Sequence, residues 1–141
     1  MSAQDNALLT RRMYQLFSDD KFDDVLPLTT EDIEVVLIPF GQTFHGRDGF
    51  VNFMMGFKSA FPDLRINVTN QVATNDQVVN EFTARGTHTG PLLTPAGEIP
   101  ATGRTVDFVI CEVLGIRDGK VASLHNYQDA ASLMRQLGLI G

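Results

Sequence analysis

The sequence predicts an α+β fold, in which helices from the first half of the chain pack against a curved sheet built mostly from the second half. The pattern begins with a helix, continues with a strand and a phenylalanine-rich helix, and ends with four consecutive strands. Strands that are segregated from helices, instead of alternating with them, are typical of α+β proteins. The length of 141 residues and the hydrophobic content of 43% suit one domain, residues 1–141, with a sizeable core.

Composition argues against several classes of partner. The net charge is −6 and the sequence has no basic run, which argues against nucleic acid and against anionic membrane surfaces. The single cysteine, Cys111, cannot form an internal disulfide, and the spacing offers it no companion zinc ligands, so we expect no metal. The first residues lack the pattern of a signal peptide, and no apolar run approaches a membrane span, so we expect a cytoplasmic protein.

The first half of the chain begins with two predicted helices and a strand. Ala3 to Phe17 places apolar residues on one stripe at helical spacing, with Ser2 or Asp5 as the N-cap. A short second helix ends near Pro27, because a proline disfavours helix in the residue before it. Ile33 to Ile38 is then an apolar strand.

A stripe of aromatic residues defines a third helix, from about Arg47 to Phe61, which Pro62 ends. Its members recur at i, i+3, i+4, i+7 and i+11, and they are Phe50, Phe53, Met54, Phe57 and Phe61. Such a stripe packs in a hydrophobic core. Its upper end is also expected to line an apolar cavity, because the walls of ligand pockets are mostly apolar.

Four strands are predicted in the second half. The stretch LRINVTNQVAT alternates apolar and polar residues, and QVVNEFTARGTH ends at His88. A loop rich in proline and glycine, residues 90–103, leads to a long strand from Thr105 to Ile116. An Asp-Gly turn joins this strand to the last one, VASLHNYQDA, and a closing helix has Gly138 at its end.

The strand from Thr105 to Ile116 is apolar on both faces. Val106, Phe108 and Ile110 lie on one face, and the opposite face carries Val109, Cys111 and Val113. In an antiparallel sheet whose helices cover only one side, a second apolar face needs another cover. We therefore expect a homodimer built on the outer face of the sheet.

His88 shares a strand face with Phe82 and Ala84, so its ring is expected to point into the interior. The loop 90–103 should lie over the ring as a lid, with little sheet to join. An imidazole in this place is a candidate general acid or base. The alternative is a buried ring that bonds the backbone.

Several segments together resemble the SnoaL-like polyketide cyclases of the nuclear-transport-factor-2-like superfamily. They are FHGRDGFVNFMMGFKSAFPDL, ARGTHTGPL, IPATGR, IRDGKV and HNYQDAASLMRQLGL, in the order of elements given above. The resemblance covers nearly the whole chain. It implies a cone-shaped, curved antiparallel or mixed sheet wrapped around three helices of the N-terminal half, a short C-terminal helix, a dimer, a hydrophobic pocket and no cofactor. It does not fix the chemistry, because this fold hosts cyclases, isomerases, hydrolases and binding domains.

The resemblance can be followed residue by residue. Cyclases of this family carry a pocket histidine on a strand, which His88 matches, and a catalytic aspartate on the last strand, where this chain has Asn126. An amide has nearly the shape of a carboxyl but cannot take up or release a proton as a carboxylate can. The pocket asparagine and tyrosine of those cyclases fall on Phe53 and Phe17.

Two related chemistries match no better. Ketosteroid isomerases place a catalytic aspartate where this chain has Ile38, and their oxyanion-binding acid aligns roughly with Cys111. Tyr14 lies near their catalytic tyrosine only in loose register. Limonene epoxide hydrolases also place an acid at the position of Asn126.

These matches lead to a set of candidate site residues. The candidates for catalysis are His88, as acid or base, and Asn126, as a donor that polarises a carbonyl. The candidates for contact with a small apolar ligand are Phe17, Phe40, Phe53, Phe57, Phe108 and Glu112. Glu112 interrupts an apolar strand face, so we expect it either at the end of the sheet or in the pocket with a raised pKa.

Two functions remain open. The first is a cofactor-independent enzyme of the polyketide cyclase type, which catalyses intramolecular aldol chemistry or proton transfer on a small carbonyl compound without the usual aspartate. The second is a non-catalytic domain that binds a small hydrophobic ligand, or an isomerase or hydrolase of the same superfamily. Convergence of His88 and Asn126 on one point in a closed cavity would favour the enzyme.

Overall fold

The computed structural model describes residues 2–141, and within them the chain forms four α-helices and eight strands. The helices are α1 (Ala3–Ser18), α2 (Phe22–Val25), α3 (Gly46–Ala60) and α4 (Ala130–Gln136), with 3₁₀ helices at Leu26–Leu28 and Ile38–Phe40. The strands are β1 (Thr29–Leu37), β2 (Gln42–His45), β3 (Arg65–Ala73), β4 (Gln77–Thr87), β5 (Leu92–Thr94), β6 (Gly97–Ile99), β7 (Thr105–Arg117) and β8 (Lys120–Gln128). Over the same residues, no helix is both long enough and apolar enough to cross a membrane.

Six strands form one sheet, in the order β2-β1-β8-β7-β4-β3. All neighbouring pairs are antiparallel except β1 and β8, which are parallel. The first long strand of the sequence therefore lies beside the last one. The predicted α+β architecture, with a mixed curved sheet and helices mostly in the first half of the chain, is confirmed.

One face of the sheet packs against α1 and α3 and carries the core. In β7, every second residue from Val106 to Leu114 is buried, and β4 alternates in the same way from Val78 to Ala84. Helix α3 presents its aromatic stripe to this face, as the spacing predicts, with Phe50 and Phe53 buried. The side chains on the inner face of β4 and β7 are thus held against the helices.

Helix α1 begins at a capping box. The backbone N–H of Asp5 donates to Oγ of Ser2, and the N–H of Ser2 donates to the carboxylate of Asp5. The buried face of this helix is more polar than the apolar stripe predicts, because Asn6, Thr10 and Tyr14 recur on it at four-residue spacing. Helix α1 therefore places polar side chains against the inner face of the sheet.

Two elements differ from the sequence prediction. The short strand β2 was not expected, because four residues are too few to show a clear alternation; it pairs with β1. The segment 90–103, expected to join little sheet, contains the hairpin β5–β6, in which Leu92 pairs with Ile99. Its prolines do not prevent the pairing, since Pro95 sits in the turn and the other two prolines flank the hairpin.

The outer face of the sheet is apolar in part and open to solvent. Val109 is 54% exposed, and Cys111 and Val113 are partly exposed beside it on β7. On β8, the exposed Tyr127 is the direct strand partner of Cys111. The predicted second apolar face of β7 is therefore present in the folded chain.

Candidate functional site

A cavity of about 60 Å³ lies between the inner face of the sheet and helices α1 and α3. Its wall is mostly apolar and carries six phenylalanines, which are Phe17, Phe50, Phe53, Phe57, Phe82 and Phe108. Four polar side chains interrupt this wall: Tyr14, Glu112, Asn126 and Gln128. An apolar wall with a few convergent polar groups is the usual composition of a small-molecule site.

Three neighbouring strands and one helix bring the polar groups together. In the strand register, Glu112 on β7 lies directly between Asn80 on β4 and Asn126 on β8. All three are buried, because they share strand parity with the inward-facing apolar residues. Tyr14 reaches the same place from α1. The result is a buried polar cluster at one side of an aromatic cavity.

The cluster is one hydrogen-bonded network. The hydroxyl of Tyr14 donates to Oε1 of Glu112 at 2.8 Å, and Nδ2 of Asn126 donates to Oε2 of the same carboxyl at 2.7 Å. Nδ2 of Asn80 donates to the Tyr14 hydroxyl at 3.1 Å and to Oγ1 of Thr10 at 3.2 Å. Both oxygens of Glu112 therefore accept a hydrogen bond.

The network holds a carboxyl that titrates near neutrality. Burial raises the pKa of Glu112 from its ordinary value of 4.5 to about 7, although the hydrogen bonds from Asn126 and Tyr14 favour the ionised form. Burial and then the nearby charge of Glu112 raise the pKa of Tyr14 well above its ordinary range, so the phenol stays protonated. A carboxyl that changes its protonation state at physiological pH suits proton transfer.

Within residues 2–141, no three His, Cys, Asp or Glu side chains are grouped in a way that could hold a metal ion. Among the residues that line the cavity, Glu112 is the one carboxylate. Both of its oxygens already accept hydrogen bonds, from Tyr14 and Asn126. Tyr14, Glu112 and Asn126 are therefore linked to one another by hydrogen bonds.

Comparison with known proteins assigns the family. A sequence profile described as SnoaL-like polyketide cyclase matches residues 7–137, which is most of the chain. The chain belongs to the SnoaL-like polyketide cyclase family. Among proteins of curated function, none matches the sequence.

Solved structures share the SnoaL-like fold. A "putative SnoaL-like polyketide cyclase" from Jannaschia sp. CCS1 has a TM-score of 0.87 and 21% identity, over 99% of this chain and 95% of that one. AclR, a "putative hydroxylase" from Streptomyces galilaeus, has a TM-score of 0.84 and 24% identity, over 99% and 89%. A "putative ketosteroid isomerase" from Kribbella flavida DSM 17836 has a TM-score of 0.68 and 15% identity, over 89% and 78%. These likenesses show the fold, and the three descriptions name different chemistries.

Six of the eight predicted site residues line the SnoaL-like cavity. They are Phe17, Phe53, Phe57, Phe108, Glu112 and Asn126. Of the two places foreseen for Glu112, the structure has the second, in the pocket with a raised pKa. Contact of these six side chains with a ligand stays a prediction.

His88 lies elsewhere. Its ring is buried but does not belong to the cavity wall, and it packs against Phe61 with 5.2 Å between ring centroids. The backbone N–H of Thr102 donates to Nδ1 of His88 at 3.1 Å, and Oγ1 of Thr102 is 3.0 Å from the same nitrogen. Burial lowers the pKa of His88, which favours the neutral ring. The ring thus ties the segment after β6 to the end of β4, and the expected convergence of His88 and Asn126 in the cavity is not found.

Phe40 does not line the cavity either. It lies in the 3₁₀ helix after β1 and faces an open groove formed with the hairpin residues 94–99 and Met134. Pro39 and Gly41, whose φ is +62°, turn the chain at the end of β1 and carry Phe40 to this groove. The expectation that it shares the cavity with Phe53 is corrected.

Asn80 and Tyr14 belong to the polar cluster but not to the set of site residues predicted from the sequence. Asn80 has the same inward strand parity as Phe82, which is the signal that singles out Glu112 on β7. Tyr14 follows Thr10 at helical spacing, but the neighbouring apolar stripe dominates the pattern of that helix. The place of Asn80 on an apolar strand face is the signal that could have found it, whereas the only sequence signal for Tyr14 is its loose register with the catalytic tyrosine of ketosteroid isomerases.

Proposed function

We propose that this SnoaL-like protein is a proton-transfer enzyme of the polyketide cyclase type, which acts on a small, largely apolar carbonyl compound without a cofactor. The observation that carries the proposal is Glu112, which is 4% exposed in an apolar cavity and has a pKa of about 7. A general base is most effective when its pKa lies near the working pH.

Glu112 takes the role of the aspartate that resembling cyclases carry at the position of Asn126. The two residues are direct partners in the register of β7 and β8. A carboxyl on either strand therefore reaches the same part of the cavity, because directly opposed side chains lie within about 5.5 Å of each other. The family membership and this cross-strand geometry together support the exchange of roles.

The proposed reaction is an intramolecular aldol addition. The ionised Glu112 removes a proton from the carbon next to a substrate carbonyl, and the electron pair of the C–H bond becomes an enolate. The enolate carbon attacks a second carbonyl of the same molecule, which forms a C–C bond and an alkoxide. The alkoxide takes the proton back from Glu112, so the carboxyl ends as it began. The Tyr14 hydroxyl can keep donating to Oε1 of Glu112 through these steps, because a protonated carboxyl retains acceptor capacity.

The size of the cavity limits the substrate. Its volume of about 60 Å³ is below the roughly 300–1,000 Å³ of typical ligand pockets. Met13 and Met54 line the cavity, and unbranched methionine side chains adapt easily to a guest. Phe17, another lining residue, is only partly buried. We expect these side chains to move when a ligand enters.

Hydrogen exchange on a substrate tests the proposal. Wild-type protein is mixed with an aromatic poly-β-ketoester in deuterium oxide, and the loss of the α-proton signal is followed by NMR. Glu112→Gln should slow the exchange by about 100-fold or more, the usual contribution of a general base. Glu81→Gln, the same change at an exposed position of β4, should leave the rate unaltered. The proposal fails if the wild type exchanges the proton no faster than buffer.

The second candidate is a non-catalytic binding domain, and the position of His88 outside the cavity favours it. In that case, ligands should raise the Tm of wild type and of Glu112→Gln alike, with no exchange in either. An isomerase is distinguished by its product, since a double bond moves and no ring forms.

We further propose that the protein forms a homodimer through the outer face of the sheet. The support is the exposed apolar surface of Val109 and Tyr127 beside the partly exposed Cys111 and Val113. Contiguous apolar surface of this kind marks interaction sites.

A further inference from the structure

The side-chain amide of Asn126 makes a single hydrogen bond, although it is 2% exposed. Its Nδ2 donates to Oε2 of Glu112 at 2.7 Å, and its Oδ1, which is buried, has no partner within the described chain. The residue also lines the cavity. An unpaired buried carbonyl oxygen costs free energy, so Oδ1 has reason to accept a hydrogen bond from a guest in the cavity.

The present arrangement suits an ionised Glu112. Its Oε1 accepts from Tyr14 and its Oε2 accepts from Asn126, and an ionised carboxylate is an acceptor only. Once Glu112 binds a proton, one of its oxygens becomes a donor and needs an acceptor. Two neighbours can supply one, Asn126 and Tyr14.

Rotation of the Asn126 amide disturbs the network least. If the amide turns over, Oδ1 accepts from the protonated Oε2, and the bond from Tyr14 to Oε1 stays in place. No other hydrogen bond is lost, since Nδ2 makes only this one and Oδ1 makes none. The separation of 2.7 Å also suits an O–H···O bond.

The route through Tyr14 disturbs more. A proton on Oε1 would have to be donated to the Tyr14 oxygen, and the phenol would then have to donate to Asn80. That needs Asn80 to turn over, although its Nδ2 donates to both Tyr14 and Thr10. The Thr10 hydroxyl, in turn, donates to the backbone oxygen of Ala7 at 3.1 Å.

We propose that Asn126 determines which ligands the cavity accepts: its amide oxygen faces the guest when Glu112 is ionised, and its NH₂ faces the guest when Glu112 is protonated. The ionised site then prefers guests that donate, such as phenols and enols. The protonated site prefers guests that accept, such as ketones. The place of this switch in a reaction rests on the proposed function of Glu112, but the binding preference does not.

Few other charges act on the switch. Among the residues that line the cavity, Tyr14 and Glu112 are the titratable ones. From β4 the group facing Glu112 is the neutral Asn80, and from β8 it is Asn126. On α3, Nζ of Lys58 lies 5.3 Å from the ring centroid of Phe17, but it pairs with Asp20 at 2.8 Å. The protonation state of Glu112 is therefore the main variable.

In the proposed reaction, the switch supplies a donor when one is needed. As Glu112 takes the α-proton, the NH₂ of Asn126 is released towards the cavity, where the enolate oxygen forms. An aspartate at this position could not donate in its ionised form. Asn126 is thus a ligand-contacting residue that responds to the state of Glu112.

Binding of two small probes tests the proposal. p-Cresol donates a hydrogen bond and acetophenone only accepts one, and the Kd of each is measured by ligand-observed NMR at about pH 5.5 and about pH 8.5. In the wild type, the preference for p-cresol over acetophenone should rise about tenfold between the two pH values, because a guest that leaves a buried polar group unpaired binds less tightly. An unchanged preference would overturn the proposal.

Two variants and one contact sharpen the test. Glu112→Gln carries an NH₂ where the protonated acid carries O–H, so it should show the low-pH preference at both pH values. Glu81→Gln, the same change at an exposed position of β4, should keep the pH dependence of the wild type. NOEs from the Asn126 NH₂ to bound acetophenone should appear at low pH alone. If these NOEs do not change with pH, the Asn126 amide does not rotate and the proposed switch is rejected. Any change in preference then comes from contact between Glu112 and the guest.

The same samples also test proton transfer by Glu112, independently of the switch. Acetophenone has exchangeable methyl protons, so its deuterium uptake reports proton transfer in the same samples. Uptake without the change in preference would retain the enzyme and reject the switch. The change in preference without uptake would retain the switch and reject the enzyme.

Discussion

Glu112 and Asn126 are direct partners across β7 and β8, and their side chains meet in a 2.7 Å hydrogen bond inside an apolar cavity. The acid is buried because its strand parity is that of Phe108 and Ile110. This pair makes a carboxyl available to the cavity although the family position of the acid holds an amide.

The buried carboxyl predicts a particular dependence of stability on pH. The folded-state pKa of Glu112 is raised from 4.5 to about 7, so the folded protein disfavours its charge. The contribution of this group is fully favourable below pH 4.5 and is lost as the pH rises to about 7. Glu112→Gln has no carboxyl to ionise at this position, so it does not lose this contribution. Its free energy of unfolding relative to that of the wild type should therefore rise by up to about 3 kcal/mol over that range.

Urea unfolding of both proteins across pH measures this difference. Other carboxyls, such as Asp63, whose pKa is lowered by the backbone N–H of Thr87, titrate in both proteins and cancel. Glu81→Gln is the exposed control. A difference between Glu112→Gln and wild type that is constant across pH contradicts the raised pKa.

Asn126→Asp should bring the site nearer to the pattern of the resembling cyclases. Two carboxyls would then lie within hydrogen-bond distance, and like charges this close cannot both ionise easily, so the pair should share a proton. We expect about 1–3 kcal/mol lower stability above pH 7, where the acid Glu112 is already ionised. Carbon-detected NMR titration of the two carboxyls would show whether their apparent pKa values separate. If wild type and variant are both inert towards polyketide esters, the missing aspartate is not the sole obstacle.

Variants of His88 separate its structural role from a catalytic one. His88→Leu removes the acceptor for the N–H of Thr102, which should cost about 1–3 kcal/mol and speed amide exchange in residues 90–103. Because the folded-state pKa of His88 is lowered, its contribution is present above pH 6.5 and falls below it. A variant that keeps its stability and its loop protection but loses α-proton exchange would restore the catalytic role predicted from the sequence.

Disruption of the outer face tests the homodimer. Val109→Asp places a charge on the apolar surface, where burial of an unpaired carboxylate is costly, so it should give a monomer. Leu93→Asp is a matched control, since Leu93 is 66% exposed on the separate hairpin β5–β6. Sedimentation velocity at micromolar concentration measures both. A wild type that is already monomeric there counts against the dimer.

The helices and most strands could be predicted because their signals are local. The period of Phe50 and Phe53 together with Pro62 is sufficient to define α3, and the alternation around Ile110 defines β7. Glu112 stood out for the same reason, as a carboxyl on an apolar face. The parallel contact of β1 with β8 has no such local signal.

The position of His88 shows where strand parity stops being informative. Parity correctly turned its ring inward, since the side chain is buried on the side of Phe82. Parity does not show that the cavity lies nearer the start of β4, beside Asn80 and Glu112. It also does not show that Thr102 would form a hydrogen bond with the imidazole. Those facts depend on where the helices and the hairpin end, which residue spacing does not encode.

The parallel pairing of β1 with β8 means that β1 must wait for a later segment of the chain before the sheet can close. Leu37 on β1 is the partner of Asn126 on β8, so the first long strand has no partner on that side until β8 has been synthesised. Closing such a distant contact is entropically costly and slow. A nascent chain that lacks β8 also lacks one wall of the cavity, and it leaves Glu112 without its amide neighbour. The site can therefore form only after β8 has been synthesised and has paired with β1 and β7.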